Sequence, residues 1–102
     1  MEIRFEWDEA KNRQNIKKHG LDLSDARDLF SGNDPLFVSP DISEDYGEER
    51  WKGIGVLREV IVVVVVFTER NSDTIRIISL RKAGSRERKA YEEEIRNRLG
   101  AG

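Results

Sequence analysis

A chain of 102 residues with 18 Lys+Arg against 20 Asp+Glu has a formal net charge of −2, and its pI of about 5.5 excludes bulk attraction to nucleic acid, so any such binding must come from local patches. Hydrophobic and charged residues each make up 37%, which suits one domain, residues 1–102, with burial concentrated in a few segments. There is no cysteine for a disulfide or thiolate site, and the longest apolar run, Val60 to Phe67, is far short of the roughly 20 residues of a membrane helix.

Ile3, Phe5 and Trp7 alternate with Arg4 and Glu6, which predicts a short half-buried strand. No signal-peptide apolar region stands at the start, so a cytoplasmic location is expected. Asp8 then serves as an N-cap with Glu9 in the first turn; Lys17, Lys18 and His19 sit at the negative end, and Gly20 suits the left-handed residue beyond it. The helix so bounded has only Ala10 and Ile16 as apolar members and offers little to a core. A second helix fits Asp22 to Ser31, with Leu23, Ala26, Leu29 and Phe30 on one face and Gly32 past the end.

After the Asn33-Asp34-Pro35 turn, LFVS (36–39) predicts a short strand ended by Pro40, and Asp41 to Gly47 an acidic loop. Glu48 to Leu57 alternates, Trp51 facing one way and Ile54 and Val56 the other. Arg58-Glu59 makes a tight turn without the usual Gly or Asn. VIVVVVVF (60–67) has no alternation and predicts a central strand apolar on both faces. Asn71-Ser72-Asp73 turns into a strand from Thr74 to Leu80, and a last helix runs from an N-cap at Ser85 to about Leu99. The order β-α-α-β-β-β-β-α predicts an α+β domain with an antiparallel sheet, two N-terminal helices and a C-terminal helix. The central strand needs cover on both faces, so helices lie on both sides or a partner completes one of them.

Cations gather in three places. The first helix stacks Lys11, Asn15 and Lys18 at i, i+4, i+7 beside His19, the only histidine, with no acid between Lys11 and His19. The plain reading is a solvated face that complements the helix dipole. In Arg81 to Lys89 five basic residues meet one acid, Glu87, where a strand hands over to a helix whose N-terminal N–H groups suit a phosphate. With Ile75 and Ile77 on one side of that strand, Ser79 and Arg81 follow there and Arg76, Leu80 and Lys82 take the other. Pairing with Glu92, Glu93 and Glu94 accounts for Arg88 and Lys89 but poorly for Arg81 and Lys82. Thr68, Glu69 and Arg70 end the valine strand, opposite a similar mix at Glu48, Glu49 and Arg50, where cross-strand charge pairing is the alternative.

One histidine leaves a zinc site short of ligands, and the acids at 41, 44, 45, 48 and 49 lack calcium-loop spacing. No cofactor motif occurs. Three cationic elements without metal ligands suit metal-free RNA cleavage, in which the ribose 2′-OH attacks its own phosphate and the protein supplies orientation, charge stabilisation and proton exchange.

FEWDEAKNRQNIKKHGLDLSDARDLF, a central EERWKGIG and VFTERNSDTIRIISLRKAGSRERKAYE together resemble the BrnT family of type II toxin–antitoxin systems, over about Phe5 to Tyr91. The resemblance implies a RelE-like fold and an endoribonuclease toxin that acts on free or ribosome-bound RNA and inhibits translation and growth. It also implies a BrnA-like antitoxin partner, whose ribbon-helix-helix part binds operator DNA, in a hetero-oligomer that could be 2:2. The family's motif positions fall on Trp7, Asp8, Lys11, Asn15, Lys18, His19 and Gly20, on Glu49, Arg50 and Gly55, on Thr68, Glu69 and Arg70, and on Arg76, Ser79, Arg81, Lys82, Glu87 and Tyr91.

On this basis the expected catalytic set is His19 for proton transfer, Glu69 as a second candidate base, and Arg70, Arg81 and Lys82 for the charge of the transition state. Lys11, Asn15, Lys18, Arg50, Arg76 and Tyr91 are the expected RNA contacts, although Tyr91 on an inner helix face is more often core. A catalytically inactive module that binds an antitoxin or RNA is the competing reading, and an oligomeric scaffold with solvated charges is a third.

Overall fold

The computed structural model describes residues 2–32 and 34–100. The elements are β1 (Arg4–Glu6), α1 (Glu9–His19), a 3₁₀ turn (Leu23–Ala26) running into α2 (Arg27–Ser31), β2 (Phe37–Pro40), β3 (Trp51–Leu57), β4 (Ile61–Arg70), β5 (Thr74–Lys82) and α3 (Ser85–Gly100). One five-stranded sheet has the order β1-β5-β4-β3-β2, and the valine strand β4 is its centre, as its lack of alternation predicts.

Strands β2 to β5 pair antiparallel, but β1 runs parallel to β5, so the sheet is mixed rather than purely antiparallel. The pairing of Phe5 with Ile75 joins residues from opposite ends of the chain, and no local signal announces it. The Arg58-Glu59 turn has both residues at positive φ (54° and 60°) and is closed by Val60 N–H donating to the Leu57 carbonyl at 3.2 Å; Val60 belongs to the connection rather than to the strand, since Leu57 pairs with Ile61, where β4 begins. This is the primed turn that matches strand twist, held here without glycine.

The main core lies between one sheet face and the segment Leu21 to Leu29. Leu21, Leu23, Ala26 and Leu29 bury against Leu57, Val63, Val65, Phe67, Ile77 and Leu80, each large side chain contributing about 1.5–3 kcal/mol. Trp51, Gly53, Gly55 and Leu57 share this face of β3. A Cβ on Gly55 would stand 3.0 Å from Leu36 Cδ1 and 3.2 Å from Leu29 Cδ2, so the glycine makes room for both leucines.

Helix α1 has no apolar face, and Ile16 remains 43% exposed. It docks instead through two buried asparagines. The Asn12 amide donates to Asp22 Oδ1 (2.9 Å) and accepts from Leu23 N–H (2.8 Å). The Asn15 amide donates to the carbonyls of Leu21 (2.8 Å) and Leu80 (2.9 Å) and accepts from Leu80 N–H (3.2 Å). Beyond Arg76, β5 has no strand on its outer side, and α1 lies there. The helix ends follow expectation: Asp8 accepts from Lys11 N–H, and Gly20 takes φ 71° and donates to Ile16.

The second sheet face carries Val64, fully buried, and Ile54, Val56, Val62 and Val66, half-buried. Helix α3 covers it on the β2–β3 side, where Tyr91 stacks on Phe37 with ring centroids 5.2 Å apart. Helices do lie on both sides of β4, but Val66, Ile78 and Ser79 on the β4–β5 side are only half covered. The N-cap of α3 is Gly84, not Ser85: its carbonyl accepts from Arg88 N–H at 2.9 Å and its N–H donates to Glu87 Oε1 at 2.8 Å. The carboxylate three residues into the helix thus supplies half of a capping box.

Candidate nucleic-acid interface

The phase of β5 decides which cations share a surface. Val66 pairs with Ser79 but Phe67 pairs with Ile77, which leaves Ile78 as an extra residue in a β-bulge. The bulge reverses the alternation expected from the sequence. Ile75, Ile77, Leu80 and Lys82 share the core-side face, whereas Arg76, Ser79 and Arg81 share the second face.

Three successive rows of the second face carry its polar and charged residues on β5 from Arg76 to Arg81. Thr68 and Arg76 pair and are continued by Glu6 of β1; Lys52, Val66 and Ser79 form the next row; Ile54, Val64 and Arg81 form the third. Arg50 stands just before β3, because that strand begins at Trp51 rather than at Glu48. Asp41 N–H donates to the Arg50 carbonyl (2.8 Å), closing the acidic loop at its neck, and the Arg50 guanidinium lies 4.0 Å over the Tyr46 ring.

At the first row Lys11, Arg50, Arg70 and Arg76 converge on one cleft of about 170 Å³, completed by Asp8, Glu48, Ile77 and Ile78. Four cations from four separate segments meet two carboxylates there. Glu48 holds Arg50 Nε at 3.1 Å and lies 3.6 Å from Arg70, and Arg76 donates to Glu6. Lys11 is exposed and forms no ion pair among the described residues.

At the opposite end of β5, Arg81 is gripped by both oxygens of Glu87, each at 2.8 Å, and also donates to the Lys82 carbonyl. The guanidinium holds the Glu87 carboxyl down at about 2, helped by the Gly84 N–H. Arg81 and Glu87 lie six residues apart across the junction of β5 and α3, a spacing at which no local rule pairs side chains, so the sequence alone does not announce the pair. Partial burial, and then the charges of Lys18 and Arg81, push the His19 pKa below its ordinary 6.5.

The expected set is therefore split. Lys11, Arg50, Arg70 and Arg76 share the cleft, and His19, Lys18 and Arg81 stand about five strand residues away, roughly 15 Å along β5. Lys82 is exposed on the other sheet face from Arg81. Glu69 is exposed and lines an adjoining cleft of about 230 Å³ with Trp51 and Thr68, which shares Glu48 and Arg70 with the cationic one. Asn15, expected as an RNA contact, is buried here, with its amide bonded to the backbone of Leu21 and Leu80. Tyr91 is likewise buried, and its hydroxyl donates to the Pro35 carbonyl at 2.9 Å. Among the described residues no three His, Cys, Asp or Glu side chains gather as metal ligands, and no helix is long and apolar enough to cross a membrane.

The chain is thus a small mixed five-stranded α+β domain with four cations gathered at one cleft on the open face of its sheet. The model of one family, described as the ribonuclease toxin BrnT of type II toxin–antitoxin systems, matches residues 7–87, and the chain belongs to that family. The crystal structure of the Brucella abortus ribonuclease toxin BrnT is similar at a TM-score of 0.65 and 30% sequence identity, covering 81% of this chain and 99% of that one. No curated protein matches the sequence.

Proposed function

We propose that the protein is a toxin that cleaves RNA internally without a metal, and that the open face of its sheet is where the RNA lies. The observation that carries this reading is the convergence of Lys11, Arg50, Arg70 and Arg76, from four distant stretches of sequence, on one solvent-open cleft. Phosphate contacts of this kind position a strand, and stacking on Tyr46 and Arg50 beside it suits unpaired bases.

In the reaction the ribose 2′-OH loses its proton to a base and attacks the adjacent phosphorus. The P–O5′ bond breaks, the 5′-oxygen takes a proton, and the products are a 2′,3′-cyclic phosphate and a 5′-hydroxyl. His19, whose pKa is lowered by partial burial and by the charges of Lys18 and Arg81, is the base, and Arg81 stabilises the charge that builds on phosphorus. The cleft cations hold the neighbouring backbone, and Lys18 extends the grip along α1. Glu69, in the adjoining cleft, and Lys82, on the other sheet face, are secondary candidates.

The partner is a BrnA-like ribbon-helix-helix antitoxin in a cytoplasmic, 2:2 hetero-oligomer, with operator DNA bound through the antitoxin. The half-covered valine face offers the antitoxin an apolar surface, which also suits the reading of an inactive binding module. The deciding test is partner-free protein on labelled single-stranded RNA in EDTA. Cleavage to cyclic-phosphate ends that is lost in His19→Ala supports the enzyme. Intact RNA, even with translating ribosomes, overturns it and leaves the binding module.

A further inference from the structure

Glu48 is placed unlike the other carboxylates of the cationic face. Glu6 lies beside β5 in a strand, and Glu87 is fixed by capping α3. Glu48 belongs to no element: it follows Gly47, whose backbone is left-handed at φ 70°, in the irregular loop whose neck is closed by Asp41 and Arg50. From that loop it reaches into the cleft and offers one oxygen to each of two arginines, Oε2 to Arg50 (3.1 Å) and Oε1 to Arg70 (3.6 Å). Its side chain is one-third exposed, and it borders the cleft and both neighbouring pockets.

We infer that Glu48 is an internal stand-in for phosphate: the Arg50–Arg70 pair is an anion site built for an RNA phosphate, and the Glu48 carboxylate fills it until RNA displaces it. Two oxygens of one anion bridging two guanidiniums is the arrangement a phosphodiester would adopt with the same pair. Arg70 is half-exposed and the Glu48 and Arg50 side chains are partly exposed, so solvent screens both ion pairs and an incoming anion can compete for them. The Thr68 hydroxyl holds the neighbouring Glu49 carbonyl at 2.7 Å, so the backbone stays in place and the Glu48 carboxylate can swing aside by its own side-chain torsions without breaking strand pairing. Glu48 thus keeps two clustered cations from repelling each other in the unbound protein and sets a threshold that only a polyanion with several contacts overcomes. The inference rests on the reading that RNA lies on this face, and its test separates the two.

Binding of a fluorescent 2′-O-methyl single-stranded RNA, which cannot be cleaved through its 2′-oxygen, is measured over a salt series for the protein and three variants. Arg76→Ala should weaken binding, which secures the RNA face itself. Glu48→Gln, which keeps shape and removes the charge, should tighten binding roughly 3- to 10-fold and steepen the salt dependence by about 0.7 in log–log slope, because counterions rather than a tethered carboxylate then leave the arginines. In Glu48→Gln/Arg70→Ala the gain should disappear. Unchanged or weaker binding by Glu48→Gln, with Arg76→Ala still impaired, overturns the stand-in and makes Glu48 a positioning residue for the arginines. Equal binding by wild type and Arg76→Ala, or none by either, overturns the RNA face and the inference with it.

Discussion

The Asn15 side chain hydrogen-bonds both backbone groups of Leu80, donating to its carbonyl at 2.9 Å and accepting from its N–H at 3.2 Å. Leu80 pairs with Val65 across the sheet, but its own N–H and C=O point the other way, toward an edge that β1 does not reach. The asparagine amide takes the part of a missing strand residue, and a helix with no apolar face is thereby fixed to the sheet.

Replacing Asn15 by Leu should therefore destabilise the fold by about 2–4 kcal/mol, since three backbone groups, the Leu21 carbonyl and both groups of Leu80, lose this partner. Urea unfolding measures this directly. A loss below 1 kcal/mol would show that water reaches the β5 edge and that α1 is held by other contacts.

Glu87 carries the clearest pH dependence of stability. Its folded-state pKa is depressed from 4.5 to about 2, first by the Arg81 hydrogen bonds. A depressed carboxylate stabilises the fold above pH 4.5, and that contribution is lost as pH falls toward 2. The pair is partly exposed, so solvent screening reduces the contribution to about 1 kcal/mol. Glu87→Gln should flatten the acid limb between pH 5 and 2 in thermal melts, leaving stability at pH 8 lower by a similar amount.

His19 should set the acid limb of the cleavage rate. Burial and the neighbouring Lys18 and Arg81 lower its pKa, so the rate should rise through a midpoint below 6.5 and stay level through pH 7. His19→Ala should lower kcat by about 100-fold or more and remove that limb. A limb that survives the substitution would assign the base elsewhere.

Tyr91→Phe should separate structure from chemistry. Losing the hydroxyl's bond to Pro35 should cost about 1 kcal/mol in urea unfolding, while RNA cleavage by the folded protein stays within twofold of wild type. A large loss of activity at full stability would return Tyr91 to the site.

The Arg58-Glu59 turn offers a stabilising change. Glu59 sits at φ 60° without the freedom of glycine, so Glu59→Gly should raise stability by about 0.5–1 kcal/mol, read as a higher urea midpoint. Arg58 is better kept, because it pairs with Asp25 at 2.9 Å.

Short-range physics made much of this protein legible in its sequence. The unbroken valine run read as a central strand, Asp8 and Gly20 could be assigned as helix ends, and Arg58-Glu59 read as a tight turn, although the strand after it begins one residue later than expected, at Ile61. The separated motif blocks from Trp7 to Tyr91 were enough to place the chain in its family. Tertiary structure alone decided what depends on residues distant along the chain. β1 joins β5 in parallel through contacts some seventy residues apart in sequence. One extra residue, Ile78, turns Arg81 onto the same face as Arg76, because side chains alternate with a period of two and a bulge shifts every later residue by one. Asn15 carried the same polar signature as its exposed neighbours Lys11 and Lys18; only the uncovered stretch of β5 determined that it would be buried and they would not.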